Sequence, residues 1–403
     1  MRRTFCQTDI LLPLESIDMQ KWAVIACDQF TSDQQFWARV RETVGEAPST
    51  LHMILPEAWL GQVDEAKHSA AINETMARYL DEDIFREIST SFIYVERKLG
   101  NGKIRRGIVG AVDLEEYETG EGASSVLRES ERIVPSRLPA RRQIRRDALL
   151  EMPHVLLLID DPSCSIVEPL GTRTDLECLY DFELMENCGH LKGFRLTGVD
   201  ADRVEDAINA LPIILVGDGN HSLVAAKMEW DAVKAGLSEA ERENHPARYA
   251  LVELGNVYDE SLEIEPIHRI VFDAPNGLIT AFVESSPQVS MGAGEGHQVR
   301  FLDQGEAGIL TISGCTVGEA IDLLQEFLDQ YVRAHGGEID YIHGDAELEE
   351  LSKQDGSVAL FMPTTSKAAL FESVIQGGVF PKKSFSMGHG ADKRHYVECR
   401  KIK

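Results

Sequence analysis

Residues 212–223 read "PIILVGDGNHSL", and the fold of the chain turns on them. Pro212 opens an apolar run, and Gly217, Asp218, Gly219, Asn220, His221 and Ser222 then arrive together. Behind them "LVAAKMEWDAVKAG" is amphipathic and stops at glycine. A short apolar run bounded by glycine reads as a buried strand, and a helical repeat ending at glycine reads as a helix. The stretch is therefore a strand-to-helix corner. Helix N-termini expose unpaired N–H groups and a partial positive charge, so they receive anions. Gly217 and Gly219 would permit positive φ and the close approach of a ligand. Asp218 and His221, three apart across the turn, offer a metal or hydroxyl partner and a titratable imidazole. The spacing is not a Walker loop, since no G-K-[ST] follows, nor is it G-x-G-x-x-G. A purely structural corner would use the same residues, with Asp or Asn as cap, Gly as turn and His as packing. On this stretch alone both readings stand.

Outward from the corner, strands and helices alternate. "DILLPL" and "WAVIAC" read as strands, and "SDQQFWARVRETVG" as a helix capped by Ser32. "SAAINETMARYLDEDIF" has helical spacing, and "SFIYVERKLGNGKIRRGIVGAVDL" is a hairpin turning at Gly-Asn-Gly. "HVLLLIDDP" is a strand, and "VEDAINAL" a helix leading into the corner. The last hundred residues alternate again, from "VGEAIDLLQEFLDQYVRAHG" to "SKAALFESVIQGG". The expected class is α/β, more broadly α+β with mixed sheets. The expected division is a core over 1–275 carrying a large insertion at about 50–205, then a C-terminal α/β domain over 276–403 that contributes to the cleft.

Composition excludes several functions. With 403 residues and 43% hydrophobic content, the chain has ample material for a packed globule. Its 40 basic and 67 acidic residues give a net charge of −27, which argues against nucleic acid and against anionic membranes as partners. The opening "MRRTFCQTDILLPLES" has no apolar signal core, and "VLLLI" is too short to span a bilayer, so a cytoplasmic protein is expected. Seven scattered cysteines without C-x-x-C argue against disulfides and structural zinc, and "CGH" at 188–190 near Cys178 is a chance pairing.

Two further stretches favour an anion site. "VLRESERIVPSRLPARRQIRRD" at 126–147 holds Arg128, Arg132, Arg137, Arg141, Arg142, Arg145 and Arg146, with R-R-x-x-R-R on one helical face. In so acidic a chain these arginines would mostly pair with carboxylates; one or two, Arg132 and Arg142 foremost, would clamp phosphate. "GGVFPKKSFSMGHG" at 377–390 offers Lys382 and Lys383 in a glycine-rich run, where a plain surface hairpin is the alternative.

These stretches, with "WAVIACDQFTS", "MPHVLLLIDDP", "LEIEPIHRIV" and "IDYIHGDAELEEL", resemble domain-of-unknown-function family number 1015 over most of the chain. Commoner members of that family have Asp-Gly-His-His-Arg at the corner, where this chain has Asp218-Gly219-Asn220-His221-Ser222. The corner and "SVIQGGVFPKKS" also resemble the ADP-dependent free serine kinases of the ParB/sulfiredoxin-like fold. That resemblance implies a ParB/sulfiredoxin-like nucleotide-binding core and a phosphotransferase acting on serine or phosphoserine. It further implies ADP or ATP as donor, Mg²⁺ held partly by Asp218, and phosphoryl-transfer roles for Asp218 and His221. Asp28 in "ACDQF" is the counterpart of the N-terminal acid that serves as base for the substrate hydroxyl. Gly217, Gly219, Asn220, Ser222, Arg132, Arg142, Lys382 and Lys383 would meet phosphate or nucleotide. The departures at Asn220 and Ser222 remove one titratable group and one phosphate contact. A phosphatase of a small phosphorylated metabolite, or a non-catalytic nucleotide-binding regulator, would use the same site.

The remaining polar residues read as structural. His268 and Arg269 would line the cleft or pack at an edge; Asp345 would cap the helix after His343; Lys227 would face solvent. His389 and His395 fall in a polar tail without metal-ligand spacing.

Overall fold

Strand Ile214–Asp218 is buried on both faces along its apolar part, which is why "IILV" is an unbroken run instead of an alternation. Leu215 packs with Leu156 and Leu158 into a core shared with the C-terminal half. Ile214 and Val216 turn the other way, joining Leu157 and Ile159 beneath Leu223, Val224 and Trp230 of helix Asn220–Lys234. In this computed structural model, which describes residues 3–120, 122–388 and 390–403, the strand lies inside an eleven-stranded mixed sheet.

The order of that sheet is Cys178–Glu183, His190–Leu196, Phe85–Lys98, Ile104–Asp113, Tyr249–Asn256, Leu156–Ile159, Ile214–Asp218, Leu127–Glu129 and Tyr117–Glu118. Strands Phe5–Cys6 and Thr8–Pro13 pair outside this path with Ile104–Asp113 and Phe85–Lys98. The corner strand is antiparallel to Leu156–Ile159 and parallel to Leu127–Glu129. A second sheet runs Val289–Met291, Glu306–Ile312, His297–Asp303, Val358–Phe361, Ile264–Phe272 and Glu338–His343, with Phe385–Met387 pairing to Ile264–Pro266. The fold is thus mixed α/β.

The chain changes sheets between Asn256 and Ile264, earlier than the expected division at 275/276, because Ile264–Phe272 is an interior strand of the second sheet. The stretch from 50 to 205, expected as an insertion, supplies the middle of the first sheet through Phe85–Lys98 and Ile104–Asp113.

Local signals set most element ends. Helix Gln34–Val44 is capped by Asp33, one residue after the expected Ser32, with Asp33 accepting from Phe36 N–H at 2.9 Å. Helix Val317–His335 begins with a capping box of Thr316 and Glu319.

The C-terminal segment departs most from expectation. Arg394 to Arg400, read as part of a polar tail, are buried. His395 and Tyr396 pair with Ile25 and Val24, and Arg400 bonds Glu151 at 2.7 Å, so neutralised charges let a polar sequence enter the core. His389 lies outside the described residues.

Candidate active site

The corner needs both of its glycines. Gly217 sits at a register shift between Val216↔Leu157 and Asp218↔Leu156, and a Cβ there would lie 2.8 Å from Leu158. Gly219 caps helix Asn220–Lys234 at φ 81°, in the left-handed region. No side chain caps that helix end, so its first amides are left for a partner. Asp218 Oδ1 accepts from Gly219 N–H at 2.8 Å, and its Oδ2 meets Lys393 Nζ at 2.9 Å. Asn220 Oδ1 is buried without a hydrogen-bond partner among the described residues.

The corner opens onto a pocket of about 440 Å³. Six lysine and arginine side chains line it, Arg132, Arg137, Arg141, Lys382, Lys383 and Lys393, against three carboxyl groups, Asp28, Glu131 and Asp218. The pocket therefore reverses the sign of the chain as a whole. Arg132 is forked onto Asp322 at 2.8 Å, and Arg141 is paired with Glu57. Arg137, Lys382 and Lys383 carry no ion pair among the described residues and remain available to an anion. Lys382 Nζ stands 6.0 Å from the Tyr341 ring centroid. Lys383 adopts φ 62°, a strained backbone for a residue with a Cβ.

Beside the corner, with His154 Cδ2 3.1 Å from where a Cβ on Gly219 would stand, is a relay that only the tertiary structure assembles. The ladder of Val24–Ile25 with His395–Tyr396 delivers Asp28 from one strand end and Tyr396 from the other. His154 precedes strand Leu156–Ile159 and bridges them, with Nε2 3.1 Å from Asp28 Oδ2 and Nδ1 2.5 Å from the Tyr396 hydroxyl. Tyr396 in turn donates to Cys27 Sγ at 3.3 Å. Burial opposes charge on both members of the Asp28–His154 pair, but their mutual attraction outweighs it. Asp28 is held well below the usual carboxylate range and His154 well above the usual imidazole range. The pair is thus carboxylate and imidazolium at neutral pH, and both ring nitrogens of His154 donate.

His221 behaves oppositely. Burial, with Arg141 and Arg137 nearby, lowers its imidazole to about 4. Its Nε2 accepts from Val134 N–H at 2.8 Å, so the neutral ring carries its hydrogen on Nδ1. It is a fixed neutral donor at pH 7 and not a titrating group. Glu131 accepts from Ser384 and Phe385 N–H at 3.0 and 3.4 Å, yet burial, with Asp218 adding to it, lifts its carboxyl to about 7.

Of the residues singled out from sequence, Asp28, Arg132, Gly217, Asp218, Gly219, Asn220, His221, Ser222, Lys382 and Lys383 come together around this pocket. Arg142 does not. Its Nε bonds Glu229 at 2.7 Å, because the helix Leu138–Asp147 turns Arg142 and Arg146 toward Glu229 and Arg141 toward the pocket. His268 is buried away from the site, held between Asp345 at 2.9 Å and Met362 N–H at 3.1 Å. Asp345 therefore serves His268, and the helix cap is Gly344. Lys227 pairs with Asp231 at 3.1 Å. His190 of the "CGH" stretch lies between Asp181 and Glu183.

Sequence reasoning named Arg137 and Arg141 in the arginine stretch but put Arg132 and Arg142 ahead of them, and it missed Glu131, His154, Lys393 and Tyr396 altogether. His154 had a signal, a lone histidine directly before an apolar strand. Lys393 had none. It is brought to Asp218 by Arg97 and Arg105, whose guanidinium groups grip the carbonyls of Ala391 and Asp392 at 2.6 Å each.

Among the described residues no group of three or more His, Cys, Asp or Glu side chains is placed to hold a metal ion. Asp218 with neighbouring Glu131 is the available donor set, which suits Mg²⁺ only when phosphate oxygens and water complete its shell. Also among those residues, no helix is long and apolar enough to cross a membrane.

A family model described as a protein of unknown function (DUF1015) matches residues 11–329. The chain belongs to that family. No curated protein matches it. Among solved structures it is similar to a conserved hypothetical protein from Pyrococcus furiosus, at 12% identity over 72% of this chain and 94% of that one, TM-score 0.39. It is also similar to a free serine kinase mutant in complex with ADP, at 10% identity over 74% and 93%, TM-score 0.43. A third is SbnI with a C-terminal truncation from Staphylococcus aureus, at 10% identity over 70% and 82%, TM-score 0.39. Likenesses this distant carry no argument about the ligands of this chain.

Proposed function

We propose that this chain is a nucleotide-dependent phosphotransferase acting in the cytoplasm on a small hydroxy amino acid, with serine and phosphoserine the first candidates. The observation that supports this reading is one pocket lined by the carboxylate Asp28, by a helix N-terminus with no side-chain cap, and by three cationic side chains, Arg137, Lys382 and Lys383, that form no ion pair among the described residues. The motif resemblance, with the ParB/sulfiredoxin-like core it implies, adds ADP or ATP as donor.

Phosphoryl transfer asks mainly for positioning and charge neutralisation. The amides after Gly219, with Arg137, Lys382 and Lys383, would hold the phosphates of the donor. His221, neutral and hydrogen-bonded through Nε2, would donate Nδ1–H to a phosphate oxygen. The acceptor hydroxyl oxygen forms a bond to the terminal phosphorus, the bond from that phosphorus to the leaving nucleotide oxygen breaks, and the hydroxyl proton passes to Asp28. A carboxylate of low basicity suits this step, because in a loose transition state the proton leaves late and the base chiefly orients the hydroxyl. Asp218 would contribute to Mg²⁺, which, when bound, neutralises charge on the transferring phosphate.

Phosphorus NMR of the protein with Mg²⁺, serine and ADP or ATP tests the reading directly. New phosphoserine and nucleotide signals are expected, and they should vanish in Asp218→Asn and His221→Ala while both variants keep wild-type circular dichroism. Full activity in both variants would refute these assignments. Phosphate released from phosphoserine without nucleotide would make the protein a phosphatase, and nucleotide binding without product would make it a regulator.

A further inference from the structure

Beside the anion pocket lies a second cavity of about 170 Å³ that the corner chemistry does not use. Its walls are largely apolar, built from Met53, Leu55, Met76, Ile144, Leu150 and Met152. The two cavities share Arg141, His154 and Ser222, and Cys27 and Tyr396 of the apolar one bond directly to the relay at Asp28. His154, the partner of Asp28, thus sits at the junction, with Asp28 and the phosphate-binding groups on one side and an apolar chamber on the other. Serine, which has no apolar substituent, would leave that chamber empty. A cavity of roughly 150 Å³ lined by aliphatic side chains takes a benzene-sized group.

The lining also holds two guanidinium groups, Arg141 and Arg145. Arg145 pairs with Glu151 at 2.7 Å and Arg141 with Glu57. Both guanidinium groups belong to the cavity wall and set positive charge beside its apolar surface, which favours a ligand that carries a carboxylate next to its apolar part.

We infer that the acceptor is larger than serine: a hydroxy acid bearing a phenyl-sized apolar substituent, seated with that substituent in this cavity. Its hydroxyl reaches past the shared His154 to Asp28 in the anion pocket, and its carboxylate lies toward the guanidinium groups of Arg141 and Arg145 in the cavity wall. This assignment rests on the phosphotransferase reading for the identity of the reaction, but the cavity as a binding site can be tested apart from turnover. Transfer follows the same balance, with the acceptor oxygen bonding to phosphorus, the nucleotide oxygen leaving and the proton going to Asp28.

The test compares 3-phenylserine with serine by isothermal titration calorimetry on the full chain, followed by phosphorus NMR with ADP or ATP and Mg²⁺. Phenylserine is expected to bind at least about tenfold more tightly, the discrimination one extra apolar group supplies in a fitted pocket. Ala225→Leu, which fills the cavity from helix Asn220–Lys234, should abolish that preference while ADP affinity stays unchanged. Should that variant fail to fold, Leu60→Trp narrows the cavity from its exposed rim without entering the core. Equal binding of the two compounds overturns the inference. So does a filling variant that weakens ADP instead, since the cavity would then hold the nucleobase. Preferential binding of phenylserine without phosphoryl transfer would keep the cavity assignment and refute the phosphotransferase reading.

Discussion

Replacing His154 with glutamine removes the charge of the relay and keeps its shape. The wild-type imidazolium is 8% exposed and its partner Asp28 19%, so the variant strands a largely desolvated carboxylate. Breaking a buried ion pair from one side costs about 3–5 kcal/mol. Asp28 retains a 2.9 Å hydrogen bond from Gln29 and some solvent, which places the expected loss near the lower bound, about 3 kcal/mol. The pH dependence is the sharper part. His154 is raised in the fold, so its contribution is complete below the unfolded imidazole value of about 6.5 and disappears as pH rises through the folded value. Asp28 is depressed, so its contribution is present above about 3.9 and is lost as pH falls through its folded value. The difference between wild type and His154→Gln should therefore be greatest between about pH 4 and 6.5 and shrink in alkali. Equilibrium urea unfolding followed by tryptophan fluorescence measures it, because Trp22 and Trp37 share a core with Tyr396. A difference below about 1 kcal/mol, or one equal at pH 6 and at strongly alkaline pH, would refute the charged pair.

Three further outcomes follow from the same geometry. Gly219→Ala should destabilise the chain by about 1–3 kcal/mol, since φ 81° disfavours a Cβ that would also stand 3.0 Å from Val155 Cα; thermal unfolding measures the loss, and an unchanged midpoint refutes the left-handed cap. Because Glu131 titrates near 7, phosphate or ADP affinity should fall as pH rises through that value and the pocket gains a negative charge; calorimetry at pH 6 and 8 should show this in wild type and not in Glu131→Gln. Arg137→Ala should weaken ADP about tenfold, whereas Arg142→Ala should leave ADP affinity intact and cost about 1 kcal/mol through its contact with Glu229, which is 9% exposed. The reverse pattern would return Arg142 to the site.

The corner itself was readable because every part of it is local. A strand buried on both faces must be an apolar run, a left-handed cap must be glycine, and a helix declares its period within a few turns; "PIILVGDGNHSL" satisfies all three within twelve residues. The mixed α/β class and most of the alternating elements followed from the same short-range rules. The cationic pocket was legible only in its sequence neighbours, for composition shows that arginines are present but not which carboxylates claim them. Arg141 and Arg142 are adjacent in sequence, and about 100° of helical rotation sends one to the pocket and the other to Glu229. Asp28 and His154 meet across 126 residues, Lys393 and Asp218 across 175, and His154 and Tyr396 across 242. No local propensity spans such separations. Sheet pairing and the burial of the C-terminal segment bring those groups together, so the anion corner belongs to the sequence, whereas the relay beside it exists only once the sheets have closed.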